Sequence, residues 1–243
     1  MEIKQLAIDK LANTMRIYIE TKIDFERLKY IDQEEAINNL DRAFEAKLEA
    51  FHSLYDVTKT DFSYFDSADS ATLIMLRNAI HHRNHPLFKS WNYEMLLNEG
   101  LKKNHGAEFL LASHNVMNDI PKMKYYYKFD DFYARIDSNL GSPYLETKMN
   151  KSNREKLVFQ LKNELHFDIV SNYAKSNRYP TSQIYINVIP IFISAVSKVF
   201  KALKSKGIEF KGFDAKVYEE AFVNELEVNI KNFSYMPIRV YKS

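Results

Sequence analysis

The stretch DQEEAINNLDRAFEAKLEAFHSLYDV, residues 32–57, decides which fold class the chain is expected to have. It opens with Asp32 and Glu35, whose spacing matches the capping box that begins many helices. Large apolar side chains then recur every three or four positions, at Ile37, Leu40, Phe44, Leu48, Phe51 and Tyr55. This spacing places all of them on one face of a single long helix, which therefore packs against a core.

The composition of the whole chain agrees with a helical protein. Only 5 Gly and 6 Pro occur in 243 residues, fewer than the tight turns of a sandwich or barrel need. Apolar residues make up 46% of the chain and include 17 Phe and 16 Tyr, which is enough to form a core and excludes a disordered chain. We therefore predict an all-α protein with a single helical domain over residues 1–243 and an irregular insertion at residues 118–150.

Charge and cysteine content exclude several classes. The formal net charge of +2 neither requires nor excludes a nucleic acid partner. The absence of cysteine excludes disulfides, Cys-ligated zinc, iron–sulfur clusters and thiol nucleophiles.

The first twenty residues carry charges throughout, unlike a signal peptide. The most apolar run, at residues 184–200, is too short and too polar for a membrane span. We expect a soluble cytoplasmic protein.

Further helices are predicted from capping residues and apolar spacing. They cover residues 68–84, two short segments broken near Gly106, a segment opened by the capping box Ser152–Glu155, residues 181–207 and residues 214–231. The Ser152 helix carries an apolar stripe at Leu157, Leu161, Leu165 and Ile169. Pro190 must either kink the 181–207 helix or lie in its opening turns.

The most unusual stretch is LRNAIHHRNHP, residues 76–86. On a helix, Leu73, Leu76 and Ile80 form an apolar stripe. The other side carries Arg77, Asn78, His81, His82 and His85 on one arc. Pro86 disfavours helical geometry at His85, so the helix is expected to end there.

This pattern carries a resemblance to a known family. Arg77-Asn78 followed by three residues and His82 resembles the R-x(4–6)-H signature of the HEPN ribonucleases, in particular their abortive-infection and toxin branch. The resemblance spans roughly residues 70–88. It implies a metal-independent endoribonuclease without a cofactor, in which the ribose 2′-OH attacks the adjacent phosphate and leaves a 2′,3′-cyclic phosphate. Proton transfer near neutral pH is then assigned to His82. His81 is the second candidate, because Arg77 and His81 are also a possible Arg–His pair.

The remaining site residues follow from the same resemblance. Arg77 would hold the phosphate oxygens, and Asn78 would orient the phosphate, the ribose or His82. Two motifs would meet in a homodimer with a composite active site, with Ile74 and Met75 as apolar contacts beside the seam. RNA is the expected substrate, and an antitoxin or a phage-derived trigger is a possible partner. Arg83 and His85 beside the motif are further candidates for RNA contact.

A second candidate RNA contact is KMKYYYKF, residues 122–129. Bases can stack on tyrosine rings while ammonium groups meet phosphates, so the candidates are Lys122, Lys124, Tyr125 and Lys128. The alternative is a half-buried strand or helix with solvated lysines.

Three other interpretations of the histidine-rich stretch stay open. His81 and His85 have the spacing of an H-x-x-x-H metal site, for which His52, His105, His114 or an acidic residue would supply a third ligand. A catalytically inactive HEPN-like binding protein, adaptor or antitoxin would keep the fold without the reaction. The stretch can also be a solvated helix end, where cationic histidine is favourable.

Overall fold

The computed structural model describes residues 2–82, 85–117 and 123–241. Within them the chain is mixed α/β, with ten α-helices and one four-stranded mixed sheet, so the all-α prediction is wrong. The chain divides into two compact units, Met1–His81 with Phe192–Glu227 and His82–Ile191 with Val228–Ser243. Two compact units can belong to one domain, so the single domain stays a prediction.

The helices, in chain order, are α1 (Ile3–Leu28), α2 (Gln33–Thr58), α3 (Ala68–His81), α4 (Trp91–Leu96), α5 (Gly100–Lys103), α6 (Phe129–Ala134), α7 (Lys151–Phe159), α8 (Phe167–Ser176), α9 (Ile189–Ser205) and α10 (Phe213–Glu220). The strands are β1 (Glu108–Met117), β2 (Tyr126–Lys128), β3 (Ile184–Asn187) and β4 (Glu227–Arg239).

The first unit is built around α2, and the prediction for residues 32–57 is confirmed. The Asp32 side chain accepts a hydrogen bond from the Glu35 N–H at 2.9 Å and caps the helix. The apolar stripe is buried from Ile37 to Phe51, against α1 and α3. The described residues of this unit are helical apart from their connections and Glu227, the first residue of β4.

Helix α3 differs from its prediction in length and burial. It ends at His81 rather than near Asn84, which lies outside the described residues. Every residue from Ala68 to Leu76 is buried, so this half of the helix has no solvent face. Ile74 and Met75 are core residues of the chain, and the apolar seam expected of them at a dimer interface is therefore wrong.

The second unit contains the sheet, in the order β2-β3-β1-β4. β1 and β3 are parallel, with Leu111 opposite Tyr185, whereas β2 and β3 are antiparallel, with Tyr127 opposite Ile186. All four residues of β3 are buried, as are residues 109–112 of β1. Strands buried on both faces read as continuous apolar runs, and such short runs resemble pieces of buried helix.

Three further segments have a different secondary structure from the one predicted. The segment 118–150 is not irregular throughout, because its described part contains β2 and α6. β3 occupies the start of the predicted 181–207 helix, and Pro190 falls in the opening turn of α9, one of the two places expected for it. The predicted 214–231 helix gives way to β4 at Glu227.

The helix predicted from Ser152 is interrupted. α7 continues as one π-helical turn, Gln160–Glu164, and His166 then adopts a left-handed conformation with φ 54° before α8 begins. No helix in the described residues is long and apolar enough to cross a membrane.

Candidate active site

The start of α3 is fixed by Asp69, whose side chain is fully buried. Its carboxylate accepts hydrogen bonds from the hydroxyls of Ser67 at 2.6 Å and Ser194 at 2.5 Å. The ammonium group of Lys198 lies 2.7 Å away from it. Ser194 and Lys198 belong to α9, so this network ties the first turn of α3 to α9.

From that anchor α3 runs back along α2 and brings Arg77 against Glu49. The Arg77 Nε and Nη2 groups donate to Glu49 Oε2 at 3.0 and 2.9 Å. Arg77 Nη1 donates to Asn78 Oδ1 at 3.2 Å. One helical turn later, His81 Nδ1 lies 3.3 Å from the other carboxylate oxygen, Glu49 Oε1. A single carboxylate therefore links three residues of the predicted motif, directly or through Arg77.

This cluster of Glu49, Arg77, Asn78 and His81 lies at the surface. The side chain of His81 is 54% exposed, and those of Glu49 and Arg77 are partly exposed. His82 is the first residue of the second unit and is exposed at a turn directly after α3. Arg83, proposed as an RNA contact, lies outside the described residues.

His52 lies one turn beyond Glu49 on α2 and is affected by the cluster. Burial lowers the pKa of its imidazole, and the positive charge of Arg77 lowers it further. The Asp56 carboxylate, 3.3 Å from His52 Nδ1, acts in the opposite direction. The lowering causes dominate, so the charged form of His52 is disfavoured beside the permanently charged Arg77.

His85 belongs to a different environment, in the second unit. The buried Arg135 donates a hydrogen bond from Nη1 to His85 Nε2 and one from Nη2 to Glu146. Burial lowers the pKa of His85, and the Arg135 charge adds to this effect. With Nε2 occupied, the RNA contact proposed for His85 would require Arg135 to move.

Two of the four residues predicted from KMKYYYKF, Tyr125 and Lys128, are engaged within the protein. Tyr125 is buried, and its N–H donates to Asn187 Oδ1 at 3.0 Å, so its ring cannot stack on a base as predicted. Lys128 forms an ion pair with Glu94 at 3.2 Å. Lys124 is exposed, and Lys122 lies outside the described residues. The half-buried strand considered as the alternative matches β2, which ends at Lys128.

The structure does not provide the geometry that the metal interpretation requires. His81 ends α3, so His81 and His85 do not occupy successive turns of one helix, as an H-x-x-x-H site requires. Over residues 2–82, 85–117 and 123–241, no three His, Asp or Glu side chains are grouped so that they could hold a metal ion.

Glu49 is the residue of this site that sequence reasoning missed. It lies directly after Leu48 of the apolar stripe and 28 positions before Arg77, and nothing in its local sequence marks it. Comparison of the chain with protein-family models, with curated proteins and with solved structures finds no match. The functional argument therefore rests on the motif and on the geometry of this cluster.

Proposed function

We propose that the chain is a metal-independent endoribonuclease whose catalytic residues are Arg77, Asn78 and His82, with His81 as the second candidate for proton transfer. The observation that carries the proposal is the Arg77 guanidinium, held by Glu49 at the surface next to an exposed histidine. Arginine and histidine at adjoining positions supply charge stabilisation and proton transfer, the two requirements of phosphodiester cleavage by the ribose 2′-OH.

The hydrogen-bond inventory of Arg77 supports a phosphate-binding role. A guanidinium carries five N–H donors. Two of those on Arg77 are used by Glu49 and one by Asn78. In the described part of the chain, one N–H on each of Nη1 and Nη2 is left for a ligand. Two such donors match a pair of non-bridging phosphate oxygens, and the planar fork is already oriented by Glu49.

The reaction needs no group that the chain lacks. The histidine accepts the proton of the 2′-OH, the 2′ oxygen attacks phosphorus, and the bond from phosphorus to the 5′ oxygen breaks. The imidazolium so formed returns the proton through solvent to the departing 5′ oxygen, so the products are a 2′,3′-cyclic phosphate and a 5′-OH. Negative charge grows on the non-bridging oxygens during the attack, and Arg77 is the group that stabilises it.

The biological setting is proposed from the HEPN resemblance alone. It is a cytoplasmic toxin or abortive-infection effector that acts as a homodimer and is restrained or triggered by an antitoxin or a phage product. Since Ile74 and Met75 are buried in the chain, the dimer surface has to lie elsewhere.

The test is incubation of purified protein with mixed cellular RNA, with and without EDTA, beside the variants Arg77→Ala, His82→Ala and His81→Ala. We expect cleavage that survives EDTA, leaves cyclic phosphate ends and is lost in Arg77→Ala and His82→Ala. His105→Ala, which removes an exposed histidine outside the motif, is the matched control and should cleave normally.

Each of the other outcomes would indicate a different function or a different catalytic residue. Cleavage abolished by EDTA would favour a metal enzyme. RNA that is bound but never cut, even on addition of phage-infected lysate, would favour the inactive binding protein or adaptor. Loss of cleavage in His81→Ala but not in His82→Ala would transfer the proton-transfer role to His81, whose imidazole Glu49 contacts.

A further inference from the structure

The second unit contains a pocket of about 340 Å³ that the catalytic proposal does not use. It lies between residues 136–139, in the turn that follows α6, and one side of α7 with its π-helical extension. We call it the α7 pocket. Its volume is at the lower end of the range found for small-molecule sites. π-Helical turns within helices also occur frequently at functional sites.

The charged lining of the α7 pocket is predominantly basic. Lys151, Arg154 and Lys162 contribute three positive charges, against the two carboxylates of Asp137 and Glu155. Lys151 and Glu155 offset each other, with 3.7 Å between the charged atoms, which leaves two cations against the Asp137 carboxylate. Lys162 lies over the ring of Tyr133, with its Nζ atom 6.0 Å from the ring centroid. The pocket therefore has cationic groups available for an anion.

Arg154 has hydrogen-bonding capacity left over. Its Nη1 group donates to the backbone oxygens of Glu146 and Met149, which fixes the guanidinium in place. Its Nε–H is buried and has no acceptor within the described part of the chain. A buried donor without a partner is costly, so a shift of the Arg154 side chain that brings this N–H to an acceptor on a ligand would relieve the cost.

An exposed aromatic side chain completes the chemistry. Phe159 lines the pocket, and 59% of its surface is exposed, although large apolar side chains are normally buried. The amide of Asn163, which also lines the pocket, donates to the Phe159 carbonyl oxygen at 3.0 Å. An open ring beside fixed cations is the combination with which proteins bind single-stranded nucleic acid, because the ring stacks on a base and the cations meet phosphates.

From these features we infer that the α7 pocket binds one nucleotide of a single-stranded RNA, with its base on Phe159 and its phosphate on Lys162 and Arg154. The inference rests on the proposed function, since the strand would be the ribonuclease substrate. It also changes where this unit is expected to contact RNA, from the buried Tyr125 to residues that solvent can reach. A free nucleotide shares the chemistry, so the test separates the two sources.

The test uses the full chain and a fluorescein-labelled 2′-O-methyl RNA of about ten nucleotides, a length typical of single-strand sites. This probe lacks the attacking hydroxyl, so its binding is measured without cleavage. Fluorescence anisotropy gives the affinity of the wild type, Phe159→Ala, Lys162→Glu and Lys156→Glu. Lys156 is exposed on α7 but does not line the pocket, so its variant is the matched control.

We expect Phe159→Ala to weaken binding roughly 5- to 150-fold, the range of a lost base stack. Lys162→Glu should weaken binding and reduce the salt dependence of log K by about 0.7, the value of one phosphate contact on a single strand. Lys156→Glu should bind like the wild type. Equal binding by all four proteins, or equal weakening by Lys156→Glu and Lys162→Glu, overturns the inference.

Titration with AMP identifies the source of the nucleotide. If AMP displaces the probe at concentrations as low as unlabelled probe does, the pocket is a free-nucleotide site and the inferred strand contact is wrong. The cleavage assay keeps this result separate from the proposed function. Failure of wild-type cleavage with intact pocket-dependent binding removes the ribonuclease, whereas cleavage unaffected by both pocket variants removes the pocket from substrate binding.

Discussion

Lys47 gives the strongest prediction about stability, because a lysine is almost never buried without a carboxylate. Its side chain is 3% exposed. The Nζ atom lies 3.5 Å from the ring centroid of Tyr18, 4.4 Å from that of Phe192 and 4.8 Å from that of Phe44. No ion pair or hydrogen bond of this ammonium group occurs in the described residues. Burial consequently lowers the pKa of Lys47 well below its ordinary value.

The magnitude follows from two opposed effects. Burying an ammonium group costs several kcal/mol after the protein relaxes, whereas a desolvated cation over an aromatic ring regains about 2 kcal/mol. Methionine has a similar length, carries no charge and keeps the contacts with the rings. We expect Lys47→Met to raise the free energy of unfolding by about 2 kcal/mol at neutral pH, within the range measured when buried charges are replaced.

The pH dependence tests the cause. With its pKa lowered in the folded state, Lys47 holds fewer protons there than in the unfolded chain, so the stability of the wild type increases with pH. The penalty vanishes above the ordinary lysine pKa of about 10.4. Urea unfolding followed by circular dichroism should therefore show the wild type and Lys47→Met converging as the pH rises. The exposed Lys59→Met is the control and should stay close to the wild type.

Two results would refute this reasoning. A Lys47→Met protein that is less stable than the wild type at neutral pH would mean that the aromatic rings stabilise the cation by more than its desolvation cost. Stability curves of the two proteins that stay parallel at all pH values would mean that Lys47 is not the group that titrates.

Three further predictions concern carboxylates. Glu49→Ala should lower the kcat of RNA cleavage about 10- to 100-fold without raising KM, because it releases Arg77. The exposed Glu34→Ala is the control and should have little effect. A raised KM with unchanged kcat would contradict the positioning role of Glu49. Asp69→Ala should lower the free energy of unfolding by about 3 kcal/mol in urea titrations, far more than the exposed Asp24→Ala, and equal losses would contradict the anchoring of α3. Burial raises the pKa of Asp131 to about 6, so the stability from this group is present below about pH 4 and lost as the pH rises through the folded-state value. Asp131→Asn should then match the wild type near pH 4 and exceed it by about 2 kcal/mol at pH 7, and a constant difference over that range would contradict the shift.

The local features that the sequence predicts well are those governed by neighbouring residues. The start of α2 at Asp32 and its apolar stripe depend on contacts within a few positions, and both are present. The motif at Arg77, Asn78, His81 and His82 is also local, and the structure places its first three residues in one cluster around Glu49. Whether that cluster cuts RNA stays a prediction.

Helical patterns are local in sequence and were therefore predicted, whereas the strands were missed because strand pairing joins residues far apart in the chain. β3 is buried on both faces, so its IYIN sequence shows no alternation of apolar and polar residues. Such a run becomes a strand only by hydrogen bonding to neighbouring strands, here β1 on one side and β2 on the other. The prediction for residues 214–231 failed similarly, because β4 is a strand through its pairing with β1.

By itself, the sequence determined the long helix α2 and singled out the motif from Arg77 to His82, since helical hydrogen bonds and helical periodicity join positions close together in the chain. Only the tertiary structure decided the sheet, the role of Glu49 and the burial of Tyr125. Each depends on residues far apart in sequence: Glu49 and Arg77 meet across two helices, and Tyr125 is held by Asn187. Those meetings depend on how the elements pack, which no local pattern encodes.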